Sequence, residues 1–306
     1  MIDIYFVFKL NPVSLAETGL IFEKKGKDKV MAISKDLTGV WMKELFTLPK
    51  TVATAWEVYI YLLWRDNILV DSLEQILQKY RVKNILDCCG GTGFPSLELC
   101  RRGWDVTYAD GNEAMHSMFV KKMTRADITM PHHTVWWQNL LTQFALNSFD
   151  ALLCRGNSLP YANSWQRQCS SFSNAGVKAS LQNFWQALKP DGVLYVDTAN
   201  QQEFELDESE FPLERMAGNK KIGSHEVSLS WSIRHLRELK MRIWTNRLMI
   251  DGETYTFSEF AYLLSPEELR GLLGEVGFKV TPVTLDGENC YTTFIATKLE
   301  QKEMVK

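Results

Sequence analysis

The sequence predicts an α/β protein built on a doubly wound, mostly parallel, seven-stranded sheet. Helices precede the first strand, and a small antiparallel insertion follows the fifth. Three observations carry this reading. Residues 84–88 form a short, mostly apolar run with an acid, Asp87, and lead directly into Gly90, Gly91 and Gly93. A helix with Leu97, Leu99 and Cys100 on its apolar side then stops at Gly103, and a second run, residues 105–109, ends in Asp110. This strand, glycine turn, helix, strand and acid form the nucleotide half of a doubly wound sheet. Residues 149–154 and 193–197 are two more apolar runs, with a helix within residues 165–188 between them. Finally, residues 226–233, 239–250 and 254–263 alternate apolar and polar side chains, and Asp251-Gly252 is a strong hairpin turn.

Length and composition set the bounds. The 306 residues are 45% hydrophobic, enough for a sizeable core, and 12% aromatic with ten Trp, which points to an aromatic-lined pocket as well as a core. The net charge is −3 with no long basic run, which argues against a nucleic-acid footprint. Six cysteines at 88, 89, 100, 154, 169 and 290 form no C-x-x-C and no zinc spacing with His. They read as small buried hydrophobes in a reducing cytoplasm, and no metal is expected. His132-His133 is the lone His pair. Residues 2–10 are too short to span a membrane and carry an acid, Asp3, near their start, so neither a membrane span nor a secretory signal is expected. Residues 1–32 have little pattern and read as an extension.

The remaining elements follow in order. Residues 33–80 read as helices. Val52, Trp56, Tyr59, Ile60 and Leu63 have near-helical spacing within residues 51–70, and a second helix is expected from Asp71 to about Tyr80. Helices in this place lie over the cleft of such a fold, so an aromatic lid competes with plain core. After Asp110-Gly111, Asn112 reads as an N-cap and Met115 falls in the first helical turn. Residues 134–141 (TVWWQNLL) read as a third strand. The tip of strand four is Arg155-Gly156-Asn157-Ser158-Leu159-Pro160-Tyr161, at the carboxyl edge where open parallel sheets bind ligands. Lys189-Pro190-Asp191-Gly192 stops a helix before strand five. Ser265-Pro266 opens a helix that reaches Gly277, and residues 276–280 and 291–298 are expected to finish the sheet antiparallel. This gives an extension 1–32, a helical lid 33–80, and a main domain 81–298 with its insertion at 200–263.

Two cofactors suit the glycine turn. A nicotinamide dinucleotide asks for G-x-G-x-x-G, and here Gly91-x-Gly93 is followed by Ser96, a partial match. S-adenosylmethionine carries a sulfonium and an ammonium and no phosphate, so Asp87 at the strand tip would help it and would repel a pyrophosphate. The stretch Leu86-Asp87-Cys88-Cys89-Gly90-Gly91-Thr92-Gly93 resembles the first motif of class I S-adenosylmethionine-dependent methyltransferases, with Cys89 where many members carry glycine. From about Val52 to Lys298 the chain is similar to their glycine N-methyltransferase and glycine/sarcosine methyltransferase branch. Trp56-Glu57-Val58-Tyr59-Ile60 looks like that group's lid helix, and Gly156-Asn157-Ser158 looks like its strand-four tip. The resemblance implies a Rossmann-like fold and a cofactor site of Trp56, Asp87, Gly90, Gly91, Gly93, Asp110, Gly111, Met115, Asn139, Leu140 and Arg155. Asp110 would hold the ribose, and Asn139 and Met115 the adenine. Asn157 and Tyr59 would serve as catalytic residues, with Asn157, Tyr161 and Tyr262 facing the substrate.

One departure matters. That branch holds its substrate carboxylate with an Arg shortly after strand five, and this chain has Ala199 there. Arg155 is one substitute; a different substrate is another. The expected function is therefore methyl transfer to a small molecule, to nitrogen of an amino acid or amine. S-methylation of a thioether such as methionine is the close variant. A nucleic-acid methyltransferase is disfavoured by the net acidity. A non-catalytic cofactor-binding subunit and a dehydrogenase are the other classes in view, and a homo-oligomer is left open.

Overall fold

The computed structural model describes residues 41–63, 67–163, 173–205 and 213–299. The expected extension 1–32, residues 33–40 of the expected lid, and Cys169 lie outside the described residues. The elements are α1 (Val52–Leu63), α2 (Ile68–Lys79), β1 (Asn84–Asp87), α3 (Ser96–Arg101), β2 (Asp105–Asp110), α4 (Glu113–Arg125), β3 (His132–Thr134), α5 (Leu140–Gln143) and β4 (Phe149–Cys154). They continue with α6 (Ala175–Ala187), β5 (Leu188–Ala199), α7 (Gln201–Phe204), β6 (Leu213–Ile222), β7 (His225–Leu236), β8 (Met241–Ile250), β9 (Glu253–Tyr262), α8 (Pro266–Val276), β10 (Phe278–Val283) and β11 (Tyr291–Lys298).

The main sheet has the order β10-β11-β5-β4-β1-β2-β3. Strands β1 to β5 pair in parallel, and β11 is antiparallel to both β5 and β10. This is the mostly parallel, doubly wound sheet that the sequence predicts. The chain leaves β1 toward β2 on one side and reaches β4 on the other, so β1 and β4 flank the point where strand order reverses. Register aligns their tips, with Asp87 opposite Tyr108 on one side and Leu153 on the other. Ligands enter such sheets at that carboxyl edge.

Period-2 alternation splits the core between the two faces. Ile85, Tyr108, Leu153 and Tyr195 pack on one face with Val58 and Tyr59 of α1 and Leu73 of α2. Leu86, Ala109, Leu152 and Val196 pack on the other with Leu181 and Phe184 of α6 and Leu269 and Leu273 of α8. Leu229, Trp231 and Ile233 of β7 join the first of these cores, which seats the insertion on the α1 side.

Helix ends follow local chemistry. Asn112 accepts from the N–H groups of Ala114 and Met115 to start α4, and Ser265 accepts from Glu268 N–H to start α8. Gly277 ends α8 at φ +106°.

Four expectations need correction. The second helix begins at Ile68, after Asn67 at φ 58°, and not at Asp71. The third strand is only His132–Thr134. The chain then turns through a 3-10 segment, Trp137–Asn139, into α5. Trp137 and Leu140, three apart, both enter the core, and Trp137 Nε1–H donates to Cys88 O at 2.6 Å. Helical spacing thus overrides alternation there. Strand β5 starts at Leu188, because the 189–192 turn is absorbed as an irregularity: Leu188 pairs with Phe149, and Val193 pairs with Ala151. The insertion is a four-stranded antiparallel sheet, β6-β7-β8-β9, with β6 unforeseen.

Candidate functional site

Two adjoining cavities open at the carboxyl edge of the main sheet. The outer one has about 780 Å³, and the inner one about 400 Å³. Both are walled by Trp56, Gly156, Tyr161 and Trp244.

The glycine turn forms the floor of the outer cavity. Gly91 sits at φ +54°, and a Cβ there would approach Trp56 Nε1 to 3.0 Å, so a side chain would be strained and would press on the indole. At Gly90 a Cβ would fall 2.3 Å from the Tyr108 ring, whose hydroxyl donates to Gly91 O at 2.7 Å. The turn is held open for backbone contact and buttressed from β2.

Asp110 ends β2 in the outer wall. Its Oδ2 accepts from Gly91 N–H at 2.8 Å, and its Oδ1 accepts from Asn112 N–H at 2.7 Å. Each oxygen keeps a further lone pair for a hydroxyl donor. Burial pushes its carboxyl up to about 7, against those two backbone hydrogen bonds. Met115, Gly111, Val135 and Trp136 make an apolar slot beside it, suited to a flat heteroaromatic ring. Asp87 lies beneath the turn. Its Oδ2 accepts from Ser96 Oγ at 2.5 Å, and burial pushes it up to about 8.

The inner cavity is aromatic. Trp56 stacks on Tyr59 with centroids 5.1 Å apart. Trp244 meets both rings edge-on at 6.0 and 6.1 Å, and Trp231 meets Tyr59 edge-on at 5.2 Å. Asn157 lines it from the tip of β4, at φ +54°. Asp197 fixes that bend by accepting from Gly156 N–H at 3.1 Å and Asn157 N–H at 2.7 Å.

The expected site residues therefore separate. Gly91, Asp110, Gly111 and Met115 line the outer cavity, Tyr59 and Asn157 line the inner one, and Trp56 and Tyr161 line both. Asp87, Gly90 and Gly93 shape the turn from behind. Four others also line neither cavity. Asn139 is exposed, and Leu140 is in the core, because the chain has already turned helical after β3. Tyr262 is buried, and its hydroxyl donates to Glu268 Oε1 at 2.8 Å. Arg155 is buried under the site, 3.6 Å from Glu288 and 5.5 Å from the centre of the Phe94 ring, and lines neither cavity. Burial opposes its charge, but Tyr195, Glu288, Asp197 and Asp87 around it hold the proton on.

The sequence reading missed Trp231, Arg242, Trp244 and Glu259 of the insertion, Glu203 of α7, and Cys290 and Tyr291 at the start of β11. Alternation marked Trp231 and Trp244 as belonging to strands, and nothing local says which sheet face meets a cavity.

No family profile matches the chain. It is 34% identical over 125 residues to a glycine/sarcosine N-methyltransferase of Aphanothece halophytica, which is 40% of this chain and 43% of the relative. It is 33% identical over 132 residues to a glycine/sarcosine N-methyltransferase of Halorhodospira halochloris, covering 42% and 45%. The chain thus spans less than half the length of the curated relatives it matches. Among solved structures, a S-adenosylmethionine-dependent methyltransferase of Clostridium acetobutylicum superposes with TM-score 0.61 at 16% identity, covering 79% of this chain and 97% of the other. An amino pentose methyltransferase of Micromonospora echinaspora gives TM-score 0.61 at 16% identity, covering 82% and 98%. The chain has the Rossmann-like fold of these S-adenosylmethionine-dependent methyltransferases and resembles glycine/sarcosine N-methyltransferases in sequence over about two fifths of its length.

Proposed function

We propose that this chain transfers a methyl group from S-adenosylmethionine to a small molecule, at an amine nitrogen of an amino acid or related compound. The observation that carries the reading is the pair of cavities meeting at Trp56, Gly156, Tyr161 and Trp244, one suited to a nucleoside and the other to a small acceptor.

The residues of the outer cavity fit that cofactor. Asp110 has lone pairs for the ribose hydroxyls, the slot of Met115, Val135 and Trp136 suits adenine, and the Gly91 turn with Asp87 beneath it suits the amino-acid end. Asp87 under the turn suits the cationic amino-acid end and would repel a pyrophosphate there, which weighs against a dinucleotide. When bound, S-adenosylmethionine supplies a methyl group already activated on a sulfonium.

The chain then has three tasks. Asn157 and Tyr161 place the acceptor along the line to the outer cavity, and positioning of this kind supplies much of the rate. Trp56 and Trp244 close the junction against water. A neutral acceptor nitrogen becomes cationic as it bonds to carbon, so the faces of Trp56, Tyr59 and Trp231 attract the transition state more than the ground state.

The setting is read as the reducing cytoplasm. No disulfide joins the five described cysteines, and no described helix is long and apolar enough to cross a membrane. The test is calorimetric titration with S-adenosylmethionine and with NAD. The reading expects micromolar binding of the first and none of the second; binding of NAD alone would overturn it.

A further inference from the structure

We infer that Cys89 is a site of reversible oxidation: a hydroperoxide that enters the outer cavity oxidises its sulfur, and the buried Cys154 thiol then closes a disulfide that shuts the cavity to its ligand. The cluster is built from two neighbouring strand ends. Cys88 and Cys89 follow β1 directly, and Cys154 ends the adjacent, parallel β4. The thiols of Cys154 and Cys88 both lie within hydrogen-bonding reach of Cys89 Sγ. No disulfide joins the three.

Their exposures differ. Cys89 is half-buried and lines the outer cavity, while Cys88, which borders it too, is 1% exposed and Cys154 0%. A reagent therefore meets Cys89 first, and meets it from the space that a cofactor would fill. The Arg155 N–H donates to Cys89 Sγ at 2.9 Å, which favours negative charge on that sulfur. Burial opposes ionisation of Cys89, but hydrogen bonds from Cys154, Cys88 and that N–H outweigh it and hold the group well below the usual thiol range. Burial pushes Cys88 and Cys154 well above it. One thiolate thus stands against two thiols, as an attacking sulfur and a resolving partner require.

The Cys89 thiolate attacks one oxygen of the hydroperoxide. The O–O bond breaks, and the other oxygen takes a proton from water and leaves as water or an alcohol. Cys89 is then a sulfenic acid. The Cys154 sulfur attacks the Cys89 sulfur, the S–O bond breaks, and the hydroxyl leaves with the Cys154 proton as water. Two thiols have lost two electrons, and the peroxide bond has gained them. Cys154 closes the bridge in preference to Cys88, because a disulfide between chain neighbours forces the peptide bond between them out of its plane. The Cys88 N–H is, besides, held on Leu153 O at 3.0 Å. Bridging withdraws Cys89 Sγ from the Arg155 N–H, and the next residue, Gly156, walls both cavities. In a reducing cytoplasm two small thiols reverse the bridge by exchange, becoming a disulfide themselves.

The oxidation rests on the cysteine cluster; its effect on the cofactor rests on the proposed function. The test treats the full chain with hydrogen peroxide and maps its cysteines by mass spectrometry, with Cys100 of α3, which lines neither cavity, as the internal reference. A Cys89–Cys154 bridge that dithiothreitol reverses is expected. Saturating S-adenosylhomocysteine should slow its formation roughly 10-fold or more, since few cavities then stand open. The bridged protein should bind S-adenosylhomocysteine roughly 10-fold or more weakly in calorimetry and recover on reduction. Cys154→Ala should stop at the Cys89 sulfenic acid, trapped by dimedone, and Cys89→Ala should form no bridge. Should either variant fold poorly, the wild-type map with and without S-adenosylhomocysteine decides. Any bridge other than Cys89–Cys154, oxidation of Cys89 no faster than Cys100, or a bridge that leaves S-adenosylhomocysteine affinity unchanged would overturn the inference. Failure of the reduced protein to bind S-adenosylhomocysteine would instead remove the methyltransferase reading, and the cysteine map would still decide the oxidation.

Discussion

At the scale of the residue, Asp110 is the sharpest commitment. Asp110→Ala removes the ribose acceptor and leaves two backbone N–H groups without theirs, so cofactor affinity should fall roughly 10- to 100-fold in calorimetry. The protonation of the two acids adds a pH signature. Burial lifts Asp110 to about 7 and Asp87 to about 8, so near pH 7 both carry part of a proton. A cationic ligand with hydroxyl donors favours the ionised forms and pulls both values down. Binding should therefore release protons near pH 7 and tighten as pH rises from 6 to 8; titrations in buffers of different ionisation enthalpy would show this, and proton uptake would contradict it. The sign for folding is opposite. These carboxyls bind more protons folded than unfolded, so their contribution to stability falls as pH rises from about 4 to about 8. Asp87, Gly91 and Asp110 were legible because strand, turn and acid fall within one short stretch. Asn139 and Leu140 were misplaced because a one-turn change of backbone state after β3 re-aims every later side chain.

At the scale of the element, α1 and the inserted sheet matter most. Helix α1 is tied down through Glu57, which accepts from Trp41 Nε1 at 2.9 Å and pairs with Lys122 at 2.8 Å. Glu57→Ala should lower stability by about 1.5–3 kcal/mol in denaturant unfolding, the usual loss for a buried charged hydrogen bond. Trp231 of β7 lines only the inner cavity, so Trp231→Leu should raise the KM for the acceptor several-fold and leave S-adenosylhomocysteine affinity unchanged. A matching loss of cofactor affinity would place Trp231 in the wrong site. Alternation exposed β7, β8 and β9 in the sequence. It did not expose β6, whose Met216-Ala217-Gly218-Asn219-Lys220-Lys221 stretch has little strand propensity and is held by pairing to β7 with an irregularity between Met216 and Gly218. Tertiary pairing of that kind leaves no local trace.

At the scale of the whole molecule, the main sheet supplies the edge that carries the outer cavity, and the inserted sheet supplies one wall of the inner cavity through Trp231, Ile233, Arg242 and Trp244. The first was readable because its glycines and acids are adjacent in sequence. The inner cavity gathers Tyr59, Asn157, Glu203, Trp231, Arg242 and Tyr291, which lie far apart in the chain and meet only through the packing of two sheets and α1. This division explains why the sequence indicates the transferred group more clearly than its recipient. The measurement that tests the central claim most directly is transfer of an isotopically labelled methyl group from S-adenosylmethionine to a panel of glycine, sarcosine, N,N-dimethylglycine, methionine and carboxylate-free amines, with products read by mass spectrometry. Label on the nitrogen of a carboxylate-bearing amine, lost in Asp110→Ala, is the predicted result. Label on none of the panel despite tight cofactor binding, or on nucleic acid instead, would contradict the account.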